Sequence, residues 1–139
     1  MLWAWGYNNR GQLGDDSRTN RSIPVRVGDG TDWITVVAGS FSGMGIRGTG
    51  ERGTLWAWGD RTNGRLGLGD DVLSGNQLTP VQVGTADDWS SVSPGYWFGM
   101  GMRDAGNGGY DLWAWGTNTS GQLGDNSTTQ RNSPVQVQR

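Results

Sequence analysis

Leu55-Trp56-Ala57-Trp58-Gly59 decides the fold, because the same five residues recur as Leu2–Gly6 and Leu112–Gly116, at offsets of 53 and 57 residues. In an extended chain, alternate side chains face opposite sides of the sheet. Leu and Ala then lie on one side and two Trp on the other, so both faces are apolar. A sheet buried on both faces, in units of about 50 residues, fits blades packed face to face around an axis.

Further blocks follow each copy in a fixed order. Gly11-Gln12-Leu13-Gly14-Asp15 returns as Gly64-Arg65-Leu66-Gly67 and as Gly121-Gln122-Leu123-Gly124-Asp125. Pro24-Val25-Arg26-Val27 returns as Pro80-Val81-Gln82-Val83 and Pro134-Val135-Gln136-Val137. Two copies add an Asp-Trp block, at Asp32-Trp33 and Asp88-Trp89, and then a Gly-Met-Gly block, within Phe41–Arg47 and Trp97–Arg103. Residues 1–139 therefore read as one repeat domain, with repeats over 2–54 and 55–111 and a partial repeat over 112–139.

Short extended runs between Gly, Asp, Asn and Ser predict strands near 2–6, 24–27, 33–38, 42–47, 54–58, 80–83, 89–93, 98–103, 111–115 and 134–137. Pro opens the strands at 24, 80 and 134, a position suited to a sheet edge because Pro donates no ladder hydrogen bond. The fold class is all-β: propeller blades of four antiparallel strands, about two and a half of them.

Composition agrees and limits the chemistry. The 26 Gly residues show no collagen period and point to tight turns, while nine Trp argue against disorder. The chain has no Cys, His or Lys, and its eleven basic residues are all Arg. That removes Ser-His-Asp and Cys-His nucleophile systems, lysine Schiff bases and Cys/His metal sites. A net charge of −2 gives no footprint for nucleic acid. No apolar run is long enough to span a membrane, and no signal-peptide pattern opens the chain. The compartment stays open, an extracellular or cell-surface parent among the settings allowed.

Trp-Gly-x-Asn-x-x-Gly-Gln-Leu-Gly, then Pro-x-x-Val, then Val-x-Ala-Gly before the next strand pair, resembles the regulator of chromosome condensation repeat. The resemblance covers nearly the whole chain and implies a β-propeller, usually of seven four-stranded blades. The family often has His shortly after the Ala-Gly pair; Ser42 and Phe98 stand there instead. In the family, an opening strand pair is completed by strands from the C-terminus. Here the last repeat ends on a complete blade, so an open arc belonging to a longer propeller, or a self-assembled ring, is expected. The Ala-Trp-Gly style of repeat leans bacterial by resemblance.

The pairs Trp3/Trp5, Trp56/Trp58 and Trp113/Trp115 could stack sugars or absorb light, but equivalent positions in every repeat are better explained as blade-to-blade core. The loops Gly14-Asp15-Asp16-Ser17, Gly69-Asp70-Asp71 and Gly124-Asp125-Asn126-Ser127 offer oxygen ligands for Ca2+. None has the Asp-x-Asp-x-Asp-Gly spacing with a distal Glu, and turn chemistry explains them better. A glycosidase needs two acids at a fixed spacing; the twelve Asp and single Glu, Glu51, sit mostly in repeated turns.

The turn before each Gly-Met-Gly strand is more telling. It reads Gly39-Ser40-Phe41-Ser42 in one repeat and Gly95-Tyr96-Trp97-Phe98 in the next, so it varies while staying aromatic. Such turns share one mouth of a propeller. In this respect the chain is similar to the bacterial propeller-type β-lactamase inhibitory proteins, in which aromatic residues of this turn grip a protein. Ser40, Phe41, Tyr96 and Trp97 are therefore the candidate partner-binding residues, with capping of the core as the competing role. The expected function is non-catalytic protein–protein recognition through rim loops, with no cofactor and no metal. The alternatives are a carbohydrate-binding propeller using Tyr96 or Trp97, and a structural segment of a larger surface protein. Nucleotide exchange on a small GTPase, known in the family, depends on surface residues outside the repeat motif and is not carried over.

Overall fold

Ten strands form, one for each predicted run. They are β1 (Leu2–Gly6), β2 (Arg21–Val27), β3 (Trp33–Ala38), β4 (Ser42–Thr49), β5 (Arg52–Gly59), β6 (Gln77–Gln82), β7 (Trp89–Pro94), β8 (Phe98–Asp104), β9 (Tyr110–Gly116) and β10 (Arg131–Gln136). Of these, β2, β6 and β10 begin three residues before their expected starts. A 3-10 turn at Thr62–Gly64 interrupts the loop after β5. The structure, a computed structural model, describes residues 1–70 and 75–138; Asp71 of the acidic turn lies outside the described residues.

All pairings are antiparallel. β3, β4, β5 and β6 make one four-stranded blade, and β7, β8, β9 and β10 make the next. β1 and β2 pair only with each other, as the third and fourth strands of a blade. The strand pairing of Gly53 with Trp89 links the two full blades, and the Gly69 N–H in the loop after β5 donates to the Asn132 carbonyl of β10 at 2.8 Å.

Pro24, Pro80 and Pro134 fall inside β2, β6 and β10, further along than the sequence suggests. These strands are tolerant because each pairs on one side only, and their registers shift between Ala4 and Gly6, Ala57 and Gly59, and Arg131 and Val135. The irregularity carries the ladder past the residue that cannot donate.

Blades are joined by Trp. The Trp58 indole donates to the Gln12 carbonyl at 2.9 Å, and the Trp115 indole donates to the Arg65 carbonyl at 2.9 Å. Each Trp thus seats in the Gly-x-Leu-Gly loop of the preceding repeat, beside buried Leu13 or Leu66. Full burial of Trp115 removes roughly 5 kcal/mol of apolar surface from water, an upper estimate by area. Behind it, Trp89 packs edge-on to Trp113 and Trp115, as Trp33 does to Trp56 and Trp58. Arg47 lies over Trp56 at 4.6 Å and pairs with Asp32; Arg103 lies over Trp113 at 4.5 Å and pairs with Asp88. Bonds to these arginines hold the Asp32 and Asp88 carboxyls below the usual range.

The expectation that all three Trp pairs lie in the core needs a correction. Trp58 and Trp115 are buried, and Trp56 and Trp113 are partly buried, but Trp3 is 50% and Trp5 is 62% exposed. The reason is local. Trp5 is the counterpart of Trp58 and Trp115, and among the described residues no preceding loop offers it a seat. Both side chains instead line a groove of about 250 Å3 with Leu13, Val36 and Trp58.

A second repeated device holds the long loops. Asn8 is fully buried; its amide nitrogen donates to Asp15 Oδ1 (2.9 Å) and to the carbonyls of Ser17 and Thr19 (3.1 Å each). Its oxygen accepts from the Leu13 N–H at 3.0 Å. Asn118 repeats this with Asp125, Ser127, Thr129 and Leu123. Asp15 and Asp125 are further tied to Arg21 and Arg131 at 2.7 and 2.6 Å. These carboxylates are thereby committed to the turn. Among the described residues, no group of three or more acidic side chains converges, and no helix is long and apolar enough to cross a membrane.

Candidate functional site

Ser40-Phe41 and Tyr96-Trp97 are the two central residues of their hairpins. Each hairpin is closed by a backbone bond across the turn, Gly39 N–H to Ser42 C=O and Gly95 N–H to Phe98 C=O, both 2.7 Å. The turns are pinned from below. The Asp60 N–H donates to the Phe41 carbonyl at 2.8 Å, and the Thr117 N–H donates to the Trp97 carbonyl at 3.0 Å.

The last Gly of Leu-Trp-Ala-Trp-Gly makes this possible. Gly59 and Gly116 have φ of +103° and +104°, and a Cβ there would lie 2.4 Å from the Phe41 carbonyl oxygen and 2.5 Å from that of Trp97. Only Gly combines that backbone conformation with so close an approach. The repeat motif therefore builds the rim as well as the core.

At the tips, Tyr96 stands edge-on to Phe41 at 6.0 Å and to Trp97 at 4.8 Å, joining the two hairpins into one aromatic patch. Tyr96 is 52% and Trp97 38% exposed, Phe41 is partly buried and Ser40 is exposed. All four sequence-predicted residues come together at one end of the blades. The hairpins at Thr49–Arg52 and Asp104–Tyr110 lie at the other end, since β4 and β8 run from one end to the other.

One residue of this end escaped the sequence reading. The Arg65 guanidinium carbon lies 4.1 Å from the centre of the Trp97 ring, and the Arg65 side chain is only 1% exposed. Asp60 sits beside it. Burial pushes the Asp60 carboxyl up, but bonds from the Thr62 hydroxyl and N–H, together with Arg65, outweigh that and hold it below the usual range. The available signal was the departure from the repeat: Arg65 stands where the flanking copies have Gln12 and Gln122.

Four-stranded antiparallel blades, each seating a Trp in the loop of the repeat before it, define a β-propeller repeat protein. The regulator of chromosome condensation (RCC1) repeat model matches residues 1–46, 52–102 and 111–139, and the chain belongs to that family. It is 32% identical over 137 residues to the ultraviolet-B receptor UVR8 of Arabidopsis thaliana, covering 96% of this chain and 29% of the receptor. It is 31% identical over 127 residues to human protein RCC2, covering 91% of this chain and 23% of that protein. The chain thus spans less than a third of these relatives. Among solved structures, Prp20p of Saccharomyces cerevisiae superposes with a TM-score of 0.83 at 17% identity, over 99% of this chain and 34% of that one. Human WBSCR16 superposes with a TM-score of 0.73 at 19% identity, over 98% of this chain and 34% of that one. These likenesses fix the fold as a partial propeller. The relatives named are eukaryotic, so the bacterial leaning of the repeat finds no support in them.

Proposed function

We propose that this chain is a non-catalytic propeller scaffold whose rim recognises a protein partner through Phe41, Tyr96 and Trp97, with Ser40 beside them. The observation that carries the reading is the joined aromatic patch at two turn tips pinned by backbone bonds. Large aromatic side chains on a rigid base bury area with few rotors, which suits them to be interface anchors. Protein partners are also attached to yeast RCC1, which has been crystallised with Kap60 bound. Sugar stacking is the weaker reading, because the Tyr96 ring already makes two T-shaped contacts, with Phe41 and Trp97, and the Arg65 guanidinium lies against the Trp97 ring.

The test is the triple change of Phe41, Tyr96 and Trp97 to Ser. Partner affinity is expected to fall by about a hundredfold or more, as for anchor residues, with the circular dichroism of the blades unchanged. An unaltered affinity would remove the rim from the function.

A second reading, self-association, is favoured by a separate observation. Trp3 and Trp5 are exposed in an apolar groove. Exposed apolar surface of this kind marks an association site. Light scattering after size exclusion is expected to show a discrete oligomer that Trp5→Ser reduces in mass; a monomeric wild-type chain removes this reading.

A further inference from the structure

Arg65 is a buried cation without the partners a buried cation needs. Its Nε donates to the Thr62 carbonyl at 3.2 Å, but Nη1 and Nη2 are buried and make no hydrogen bond. The nearest carboxylate oxygen, Asp60 Oδ2, lies 3.7 Å from Nη2, beyond hydrogen-bond range. Asp60 Oδ1 is already taken by the Thr62 N–H at 2.9 Å and the Thr62 hydroxyl at 2.6 Å. Buried guanidinium groups in folded proteins are normally paired through their fork of donors.

The fold does not require this arginine. In the flanking repeats, Gln12 and Gln122 hold the loop by accepting the N–H of Arg10 and Ser120, both at 2.9 Å. Arg65 cannot accept, so the substitution gives up that loop bond and gains an unsatisfied cation. It does so in the repeat whose loop lies against the aromatic rim. Trp97 covers the guanidinium on one side and is itself open to solvent on the other. Its backbone is held by the Thr117 N–H, and its side chain is 38% exposed. Thr117 Oγ1 is also buried without a partner.

The local charge favours an incoming anion. Arg61, next to Asp60 in the chain, also has a buried Nη2 without a hydrogen bond, so this loop carries two arginines beside Asp60 although the chain is net acidic. Arginine keeps its charge despite burial.

We infer that Arg65 anchors a carboxylate presented by the rim's protein partner, with Trp97 as its displaceable cover. An aspartate or glutamate side chain entering beside Trp97 takes the two free Nη groups as a fork, while its apolar neighbours pack on Tyr96 and Phe41. The inference rests on the rim reading above and gives it a partner chemistry: an acidic residue flanked by apolar ones.

The test uses the full chain labelled with 5-fluorotryptophan, with the Trp97 fluorine resonance assigned from Trp97→Phe. Capped aspartate (N-acetyl, methylamide) is titrated against capped asparagine at equal ionic strength. Capped aspartate is expected to shift the Trp97 resonance saturably and capped asparagine to leave it in place. Arg65→Gln, which installs the residue found at positions 12 and 122, is expected to abolish the shift while the other Trp resonances hold. Arg65→Lys keeps the charge without the fork and is expected to weaken the response at least tenfold. Equal responses to the two probes, or a response that survives Arg65→Gln, overturn the anchor. The titration needs no partner, so it fails independently of the rim reading. A rim that loses its partner on the triple Ser change but is indifferent to Arg65→Gln likewise keeps the reading and overturns the anchor.

Discussion

Gly99→Ala is expected to destabilise the chain by about 3 kcal/mol or more, an effect at the upper end of overpacking. The position has ordinary φ, so the cost is steric and not conformational. A Cβ at Gly99 would lie 2.5 Å from Trp115 Cε2 and within 2.6 Å of its neighbouring ring atoms. Trp115 cannot retreat, because it is fully buried and its indole is bonded to the Arg65 carbonyl in the preceding repeat. Gly43→Ala meets Trp58 in the same way, at 2.2 Å. On the same strand as Gly99, Met102 is 40% exposed, and Met102→Ala is expected to cost about 1 kcal/mol or less. Urea unfolding of the three variants separates these cases. Similar midpoints for Gly99→Ala and Met102→Ala would mean that the Trp does not lock the blades.

Asn118→Ala carries the second large effect, again about 3 kcal/mol, through lost hydrogen bonds and not lost volume. The substitution leaves the Leu123 N–H and the Ser127 and Thr129 carbonyls without the amide that satisfies them. It also frees Asp125. Bonds from the Ser127 hydroxyl, Arg131 and Asn118 hold that carboxyl at about 2, against an ordinary value of 3.8. A depressed folded-state value means the charged form is favoured by the fold. Its contribution is therefore present above about pH 4 and lost as pH falls toward 2. Asp125→Asn is expected to flatten the stability profile in that window, measured by thermal unfolding from pH 5 to pH 2. A profile as steep as the wild type would assign the acid sensitivity to other carboxylates.

The strands were legible because short extended runs are bounded by turn residues, with Leu-Trp-Ala-Trp apolar on both sides, and because recurring copies of one pattern expose the register. The rim was legible for the same reason: a turn that stays aromatic while varying stands out against a fixed motif. The loop knot was equally readable, since Asn8, Asp15, Ser17 and Arg21 recur as Asn118, Asp125, Ser127 and Arg131, but turn chemistry was read there without its central Asn. What the sequence could not supply was the neighbour. Trp5 and Trp58 occupy identical motifs, and only the presence of a preceding loop makes one buried and the other exposed. Arg65 and Trp97 are likewise brought together by blade stacking, which no local pattern encodes.

Rim recognition is tested most directly by placing the photo-crosslinking residue p-benzoylphenylalanine at Tyr96 in one preparation and at Asn107, in the hairpin at the opposite end, in another. Both are irradiated in extract of the organism that makes the protein. Recognition at the rim predicts a discrete protein adduct from position 96 that is absent from position 107 and lost when Phe41 and Trp97 are changed to Ser. Adducts of equal yield from both ends, or one from position 107 alone, would contradict it.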